Sequence, residues 1–334
     1  MAGKELDPRD TIEIGSDDSD GYSTSGSSWD SDTTSLASSI FNYVYENGRR
    51  YANENRGTNL MPNDETELER LDLMHHCYNL LFNGSLYKTK FPSNFFDQPR
   101  RVLDVGTGTG IWAVDFGDQH PTSTVIGIDV SPVQPSFVPP NVRFEIDDFE
   151  SPTWTYSDDQ KFDFIHIRTL IGSVKDWPTF LKRVHDNLAP GGYVEVVESD
   201  ISGAFSSDGT FEKSILKELT DLLDTACKKV GARMDVAPEL HKLLKQAGFN
   251  KLEETKMQIP LGTWPKDERY KKLGLVFAEC AKTGAEAYNL AALTRILHWD
   301  GKRAKDFIAE AVRAIQDRKI HTVYPQVVIL GQKD

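Results

Sequence analysis

The sequence predicts an α/β protein built on a mostly parallel β-sheet, and three observations lead to this prediction. From residue 101 onward, short runs of branched and aromatic residues alternate with helical or loop stretches. Several of these runs are almost continuously apolar, as in a parallel sheet covered on both faces. The first run passes into a glycine-spaced turn at residues 105–110 and then into a helix-like pattern. With 334 residues, the chain is long enough to bury a sizeable core.

Composition limits the classes of function. The net charge of −13 and the lack of clustered Lys and Arg argue against direct binding of nucleic acid or anionic membranes. No apolar stretch approaches the ~20 residues of a membrane span, and the acidic N-terminus does not resemble a targeting leader. The three cysteines are widely spaced, which suits reduced thiols. We expect a cytoplasmic protein, with the nucleus as the alternative compartment.

The N-terminal third divides into two parts. Residues 1–39 contain nine acidic residues and ten serines, so we expect a disordered acidic, Ser-rich tail. The tail is interpreted either as a plain solubilising segment or as an arm that binds protein partners. Residues 40–98 are expected to form an N-terminal helical cap. Within it the sequence predicts a helix over 63–82, opened by Asp64 and Glu67 in a capping-box pattern.

The remaining elements follow in order. Strands are predicted at 101–105, 124–130, 142–147, 162–168 and 193–199. Four prolines within 131–140 predict that the crossover helix there is short or absent. A helix within 173–188, a long helical stretch over 208–247, a strand near 252–259 and helices near 267–291 and 302–318 come next. The last strand contains Pro325, which predicts an edge position or a bulge.

The glycine turn fits two classes of cofactor. A dinucleotide fingerprint reads G-x-G-x-x-G, but here Gly106, Gly108 and Gly110 are followed by Ile111, where the third glycine would stand. Asp104 lies inside the strand just before the turn. A carboxylate is unfavourable beside a pyrophosphate and suits the ammonium of S-adenosylmethionine, which has no phosphate. The turn therefore favours S-adenosylmethionine.

Acidic residues stand at the ends of the next two strands. Asp129 lies 19 residues past Gly110, where a carboxylate accepts hydrogen bonds from a ribose diol in either cofactor class. Asp147 and Asp148 end the third strand, and Phe149 follows them, so an acid there suits an adenine amino group while the ring covers the base. Any one acid alone is better explained as turn chemistry. Acids at successive strand ends after this loop favour a cofactor site.

These residues carry a resemblance to a known family. The segments VLDVGTGTG, IGIDVSP, NVRFEIDDFE, FDFIHIR and LAPGGYVEVVE resemble the successive motifs of class I S-adenosylmethionine-dependent methyltransferases. YENGRRY, MPNDETELERLDLMHH, FDFIHIRTLIGSVKDW and LGTWP resemble the LaeA-like methyltransferases of fungi, which are linked to secondary metabolism. The resemblance covers about residues 40–333. It implies a Rossmann-like class I methyltransferase fold: a seven-stranded, mostly parallel sheet with its last strand antiparallel, helices on both faces and helical cap elements.

The resemblance also implies domain limits and site residues. Residues 99–334 would form the S-adenosylmethionine-binding methyltransferase domain, with a helical insertion at about 267–318 that caps the acceptor pocket. The cofactor-binding set is Asp104, Gly106, Thr107, Gly108, Gly110, Asp129, Val130, Asp148 and Phe149. Candidates for the acceptor pocket are Tyr51, His75, His166, Arg168 and Trp177. For His166 a structural role is an equal alternative, and for Arg168 the alternatives are the cofactor carboxylate and a salt bridge.

The sequence identifies no catalytic residue and no metal site. Methyl transfer is a displacement at a carbon already activated by a sulfonium, so a base is needed only when the acceptor must lose a proton. Two functions therefore stay open. The first is an enzyme that methylates oxygen, nitrogen or carbon of a small molecule in fungal secondary metabolism. The alternative is a nuclear regulator that acts through protein partners with weak or no turnover. The intact glycine turn and strand-end acids favour the enzyme.

Overall fold

A computed structural model describes residues 12, 43–52, 60–154 and 156–334. The predicted tail at 1–39 therefore lies outside the described residues except for Ile12, which is buried in an apolar cluster that includes Cys77, Tyr78 and Leu81. The described part of the chain contains seven α-helices and nine strands, besides short 3-10 and π-helical segments and loops.

A seven-stranded sheet forms the centre of the molecule. The strands are β1 Val44–Glu46, β2 Arg49–Tyr51, β3 Arg101–Val105, β4 Thr124–Asp129, β5 Val142–Ile146, β6 Phe162–Arg168, β7 Leu188–Ser199, β8 Asn250–Pro260 and β9 Val323–Gln332. The large sheet has the order β5-β4-β3-β6-β7-β9-β8, and β9 runs antiparallel to both of its neighbours. The other neighbouring pairs are parallel. The predicted fold class, a mostly parallel seven-stranded sheet with an antiparallel last strand, is confirmed.

Helices cover both faces of this sheet. They are α1 Glu65–Leu81, α2 Ile111–Gln119, α3 Trp177–Asn187, α4 Ile215–Lys229, α5 Leu240–Ala247, α6 Glu268–Ala291 and α7 Gly301–Ile315. Because strand side chains alternate between faces, Leu103 packs with α3 and α5, whereas its neighbour Val102 packs with α2. Helices α1, α4, α6 and α7 share a third buried cluster with Val197 and Val328. These four helices lie over the β7–β9 side of the sheet.

The N-terminal part combines the predicted helix with a hairpin that the sequence analysis did not predict. Helix α1 begins where expected, and the Asp64 side chain caps it by accepting from Glu67 N at 3.1 Å. Before it, β1 and β2 pair through a turn at Asn47 and Gly48, both with positive φ. Asn-Gly between two short runs is the usual signal for such a turn. The signal was therefore present in the sequence.

Two predictions about the C-terminal part were wrong. The stretch 208–247 is not one helical region, because α4 ends at Lys229 and a segment containing Gly231, with φ +81°, separates it from α5. Strand β9 is not at an edge, because it lies between β7 and β8. The Pro325 carbonyl accepts a hydrogen bond from Asp200 N, just beyond the end of the β7–β9 pairing. Because the nitrogen and the carbonyl of one strand residue point to the same side, the nitrogen of Pro325 also faces β7 and not β8. Pro325 therefore costs no hydrogen bond to β8, and the register shift of that pair lies elsewhere, at Asn250 to Glu253.

The connection between β4 and β5 agrees with its prediction. Residues 131–141 contain no helix, and Gln134 instead donates from Nε2 to the carbonyls of Gly108 at 2.7 Å and Ser131 at 3.0 Å. The Gln134 side chain therefore links this connection by a hydrogen bond to the glycine turn, which lies at the carboxyl end of β3.

Candidate functional site

A cavity of about 1440 Å³, partly open to solvent, lies at the carboxyl ends of the parallel strands; we call it the strand-end cleft. The loops after four adjacent strands form one side of it, and residues before and within α1 form another. Of the residues singled out from the sequence, those that line it are Gly106, Gly108, Asp129, Val130, Asp148, Phe149 and Arg168. Open α/β sheets generally bind ligands at this edge.

The glycine turn brings backbone rather than side chains to the cleft. Gly106, Gly108 and Gly110 all have φ between +58° and +81°, a region that L side chains rarely adopt. A Cβ on Gly110 would lie 2.2 Å from the Phe144 ring, and one on Gly106 would lie 2.4 Å from Leu170. Any larger residue at these two positions would displace the turn. Gly110 also precedes the first residue of α2 and does not line the cleft.

Asp129 ends β4 with its carboxylate in the cleft wall. Its Oδ2 accepts from Gly108 N at 2.9 Å, and its Oδ1 accepts from Ser131 N at 2.9 Å. Burial raises the pKa of Asp129 to about 6, against the lowering effect of these backbone hydrogen bonds. Each oxygen keeps a further lone pair, so the carboxylate is able to accept two more hydrogen bonds from a ligand.

Asp104, Thr107 and His166 lie behind the glycine turn and do not line the cleft. Asp104 accepts from the Thr107 hydroxyl at 2.6 Å and from His166 Nδ1 at 2.8 Å. Burial lowers the pKa of His166 to about 4, so the ring is neutral and donates from Nδ1. The ring stacks on Trp112 with 3.7 Å between centroids. These three residues therefore stabilise the glycine turn through contacts with one another. The sequence had instead predicted that they contact a ligand.

Arg168 lines the strand-end cleft and contacts His75, which does not line it. Arg168 donates to His75 Nδ1 at 3.1 Å, so His75 carries its proton on Nε2 and donates to Asp115 at 3.0 Å. The guanidinium also lies over the Tyr78 ring, 5.0 Å from its centroid. Burial lowers the pKa of Arg168, and no carboxylate of the described residues pairs with it. The charges of Asp104 and Glu195 favour its charged form without a direct salt bridge, and a buried guanidinium of this kind at a cleft wall suits an anionic group of a ligand.

Tyr51 and Trp177 do not line this cleft, nor do they line a second cavity that adjoins it. The Arg295 guanidinium lies over the Tyr51 ring at 4.1 Å, and burial raises the pKa of Tyr51 to about 12. Trp177 is 1% exposed and packs edge-on against Phe180 in the core. For both residues the structure gives packing contacts and no access to a ligand.

A second cavity of about 930 Å³ adjoins the cleft; we call it the apolar chamber. It lies among α1, α4 and α6 above the ends of β7 and β9, and most of its lining side chains are apolar. The cleft and the chamber share six lining residues: Arg70, Thr169, Ile171, Leu223, Met234 and Tyr288. None of the six was predicted from the sequence, because they come from five separate segments that only tertiary packing brings together.

The shared wall contains a buried ion pair. Arg70 donates to Glu67 from Nε at 2.8 Å and from a terminal nitrogen at 2.7 Å, and both side chains are at most 3% exposed. The Arg70 guanidinium also lies over the Tyr288 ring, 5.2 Å from its centroid. The charge of Arg70 is thus neutralised within α1. Thr169, also in this wall, has φ +56°, an uncommon conformation for a non-glycine residue next to a cavity.

The described residues contain no group of three or more His, Cys, Asp or Glu side chains arranged to hold a metal ion. Their helices include none with the length and apolar character required to cross a bilayer.

Several known proteins are similar to this chain in sequence over most of its length. Residues 83–254 match the family described as Methyltransferase domain. The chain is 38% identical over 306 residues to methyltransferase pytC of Aspergillus terreus, covering 91% of this chain and 92% of that protein. It is 37% identical to the secondary metabolism regulator LAE1 of Cochliobolus heterostrophus, covering 84% and 91%. It is 31% identical to the protein-methionine methyltransferase laeA of Emericella nidulans, covering 83% and 72%. The chain therefore belongs to the S-adenosylmethionine-dependent methyltransferases, in the group that includes pytC and the LaeA and LAE1 proteins.

Proposed function

We propose that the chain transfers the methyl group of S-adenosylmethionine to a small-molecule acceptor in fungal secondary metabolism. The observation that carries this proposal is the contact between the two cavities, which share six lining residues. A cofactor in the strand-end cleft and an acceptor in the apolar chamber would meet at this wall. The relation to pytC, which is named a methyltransferase, supports an enzyme.

The residues of the strand-end cleft fit this cofactor. The two free acceptor positions of Asp129 match the two hydroxyls of a ribose. Asp148 uses one oxygen for Glu150 N at 2.8 Å, and its other oxygen suits an adenine amino group beside the Phe149 ring. The unpaired guanidinium of Arg168 suits the carboxylate of the methionine end. Two of the three basic side chains among the described cleft residues are paired with carboxylates, which agrees with a cofactor that lacks phosphates.

When bound, S-adenosylmethionine supplies a methyl carbon already activated by its positive sulfonium. The task of the protein is then to align the acceptor and to exclude water, effects that reach roughly 7–11 kcal/mol in well-oriented systems. Gly106 and Gly108 allow close approach of the backbone, and the apolar lining of the chamber excludes water from the acceptor. Both contributions are geometric.

None of the six shared residues is a free base. Arg70 is a cation paired with Glu67, and burial raises the pKa of the Tyr288 phenol. Thr169 has only an ordinary hydroxyl, and the other three side chains are apolar. We infer that this wall positions the acceptor and that the acceptor itself provides the nucleophilic electron pair.

The proposed domains assign each segment a task. Residues 99–334 bind the cofactor, and residues 40–98 together with the insertion at about 267–318 cover the two cavities. In support, α1 and α6 both contribute to the shared wall, through Arg70 and Tyr288. We assign residues 1–39 to solubility or to contacts with protein partners. We place the protein in the cytoplasm, and in the nucleus under the alternative function below.

Isothermal titration calorimetry on the full chain tests the cofactor site. We expect micromolar binding of S-adenosylmethionine and at least tenfold weaker binding by Asp129→Ala, which removes both acceptors for the ribose. Asp118→Ala is the matched control, because Asp118 is exposed on α2 away from the cleft. Absence of S-adenosylmethionine binding, or tight binding of NAD in its place, would contradict the proposal.

The second candidate function is a regulator of secondary metabolism. The similarity to LAE1 over 91% of that protein favours it, since LAE1 is named a secondary metabolism regulator. In this case the chain would bind the cofactor but act mainly through protein partners. Both functions include cofactor binding, so metabolite profiles of variant strains of the native host are needed to distinguish them.

A further inference from the structure

The apolar chamber offers no charge to a ligand. Of the described residues that line it, only Arg70 is charged, and Glu67 neutralises it through two hydrogen bonds. The remaining polar lining side chains are hydroxyls, amides and a thiol. Moving an unpaired charge from water into such a space carries a large desolvation cost. An uncharged ligand is therefore favoured over an ionised one of the same size.

One hydrogen-bonded relay reaches this chamber. The Tyr78 hydroxyl donates to Gln326 Oε1 at 2.9 Å, and Gln326 Nε2 donates to Ser199 Oγ at 2.8 Å. All three residues line the chamber and are at most 8% exposed. The hydroxyl proton of Ser199 has no acceptor among the described residues. The relay thus ends in a hydrogen-bond donor at the chamber wall.

The direction of the relay is set by the amide of Gln326. Its Nε2 lies 3.4 Å from the Tyr324 carbonyl oxygen as well as close to Ser199. A flipped amide would place Oε1 against that carbonyl, and two acceptors would repel each other. Nε2 therefore faces Ser199, whose oxygen must accept and whose proton remains available.

We propose that the apolar chamber binds an uncharged, mostly apolar acceptor molecule and that the Ser199 hydroxyl donates a hydrogen bond to a carbonyl or ether oxygen of that molecule. Ser199 is then a specificity-determining residue, because an acceptor without such an oxygen leaves its buried donor unpaired. The inference rests on the proposed function, since it assigns the substrate class of the same methyl-transfer site. It also goes beyond that function by naming one chemical group that the acceptor carries.

The test uses 6-propionyl-2-dimethylaminonaphthalene (prodan) with the full chain at saturating S-adenosylmethionine. This probe is an uncharged naphthalene with one carbonyl and no N–H or O–H group, and its emission shifts to the blue when that carbonyl loses a hydrogen bond. We expect prodan to bind the wild-type chain. For Ser199→Ala we expect affinity about two- to tenfold lower and bluer emission of the bound probe, as for loss of one neutral hydrogen bond.

Three comparisons make the result specific. Ser202→Ala, the same change on the exposed side of the following loop, should leave prodan affinity and emission unchanged. Ala281→Trp, which fills the chamber from α6, should abolish prodan binding. The anionic probe 8-anilino-1-naphthalenesulfonate should bind at least tenfold more weakly than prodan.

Calorimetry with S-adenosylmethionine on each variant separates the possible failures. A chain that binds S-adenosylmethionine but not prodan, or prefers the anionic probe, overturns the inference and leaves the proposed function standing. Equal prodan affinity and emission for wild type and Ser199→Ala overturn the assignment to Ser199. A wild-type chain that does not bind S-adenosylmethionine overturns the proposed function itself.

Discussion

Asp129 is held in the strand-end cleft by two opposing effects. Burial favours its neutral form, whereas the N–H groups of Gly108 and Ser131 favour its charge. Burial has the larger effect, so the pKa rises from 3.8 to about 6. Above this pH the carboxylate accepts hydrogen bonds from a ribose at both oxygens. Below it, the protonated oxygen becomes a donor, and one of these interactions is lost.

We therefore predict that S-adenosylmethionine binds about tenfold more weakly at pH 5 than at pH 7. Below its pKa, the free Asp129 carboxyl must release one proton before both of its oxygens accept hydrogen bonds from the ribose, and each pH unit then lowers the affinity about tenfold. Calorimetry at pH 5, 6, 7 and 8 measures this dependence. Asp129→Asn should bind more weakly at pH 7 and show a flatter profile, since its amide does not titrate. A wild-type profile without a decline below pH 6 would contradict the assignment.

Asp104 shows why individual roles are hard to predict from sequence. Its position before the glycine turn indicated contact with the cofactor ammonium, but in the structure its carboxylate accepts from Thr107 and His166 and does not line the strand-end cleft. The second half of that arrangement comes from β6, 62 residues later in the chain. Sequence spacing correctly predicted that Asp104 lies at the turn. The direction of its side chain depends on the neighbouring strand.

At the scale of elements, α1 lines both the strand-end cleft and the apolar chamber. One face of α1 packs against α6, and the Glu67–Arg70 pair lies in that packing, close to Tyr288. A buried ion pair is costly to desolvate but even more costly to break, because the remaining partner keeps an unpaired charge. The pair therefore contributes to the position of the wall between the two cavities.

We predict that Glu67→Leu lowers the free energy of unfolding by about 3–5 kcal/mol, because Arg70 is left buried without a counter-charge. The double variant Glu67→Leu/Arg70→Met should recover most of this loss, since two apolar side chains fill the same space. Urea unfolding followed by circular dichroism measures both values. Equal stability of the single variant and the wild type would show that the pair does not stabilise the α1–α6 contact.

The elements were predictable to different degrees, for physical reasons. The strands of the parallel core follow from apolar runs, and α1 from its capping residues, because both signals are local. The edge position predicted from Pro325 was wrong. A central strand accepts this proline because the pairing with β7 ends there, and the sequence of β9 alone does not show where that pairing ends. The apolar chamber was not predicted for the same reason. Its lining combines α1, α4, α6 and two strand ends that only tertiary packing brings together.

At the scale of the whole molecule, the strand-end cleft and the apolar chamber adjoin each other and differ in chemistry. The strand-end cleft includes glycines, acids and basic side chains such as Arg168 in its lining, whereas the apolar chamber is lined mainly by aliphatic and aromatic side chains. A protein that acted only through partners would need neither a guanidinium without a salt bridge in the cleft nor an apolar chamber beside it. The arrangement therefore favours turnover of a small molecule, and it leaves a regulatory contribution of residues 1–39 to be tested separately.

The native host separates the enzyme from the regulator when two alleles are compared. Asp129→Ala removes the proposed cofactor contact. Deletion of residues 1–39 removes the acidic segment together with the buried Ile12 but none of the described residues that line the two cavities, so Ile12→Ala is its control. For an enzyme, we predict that Asp129→Ala abolishes one methylated product, that its unmethylated precursor accumulates, and that the deletion has little effect on either. For a regulator, we expect broad changes across unrelated metabolites from the deletion. Metabolite profiling by mass spectrometry distinguishes these results, with immunoblotting to confirm equal protein levels. Unchanged metabolites in the Asp129→Ala strain would contradict the enzyme, because methyl transfer requires the bound donor.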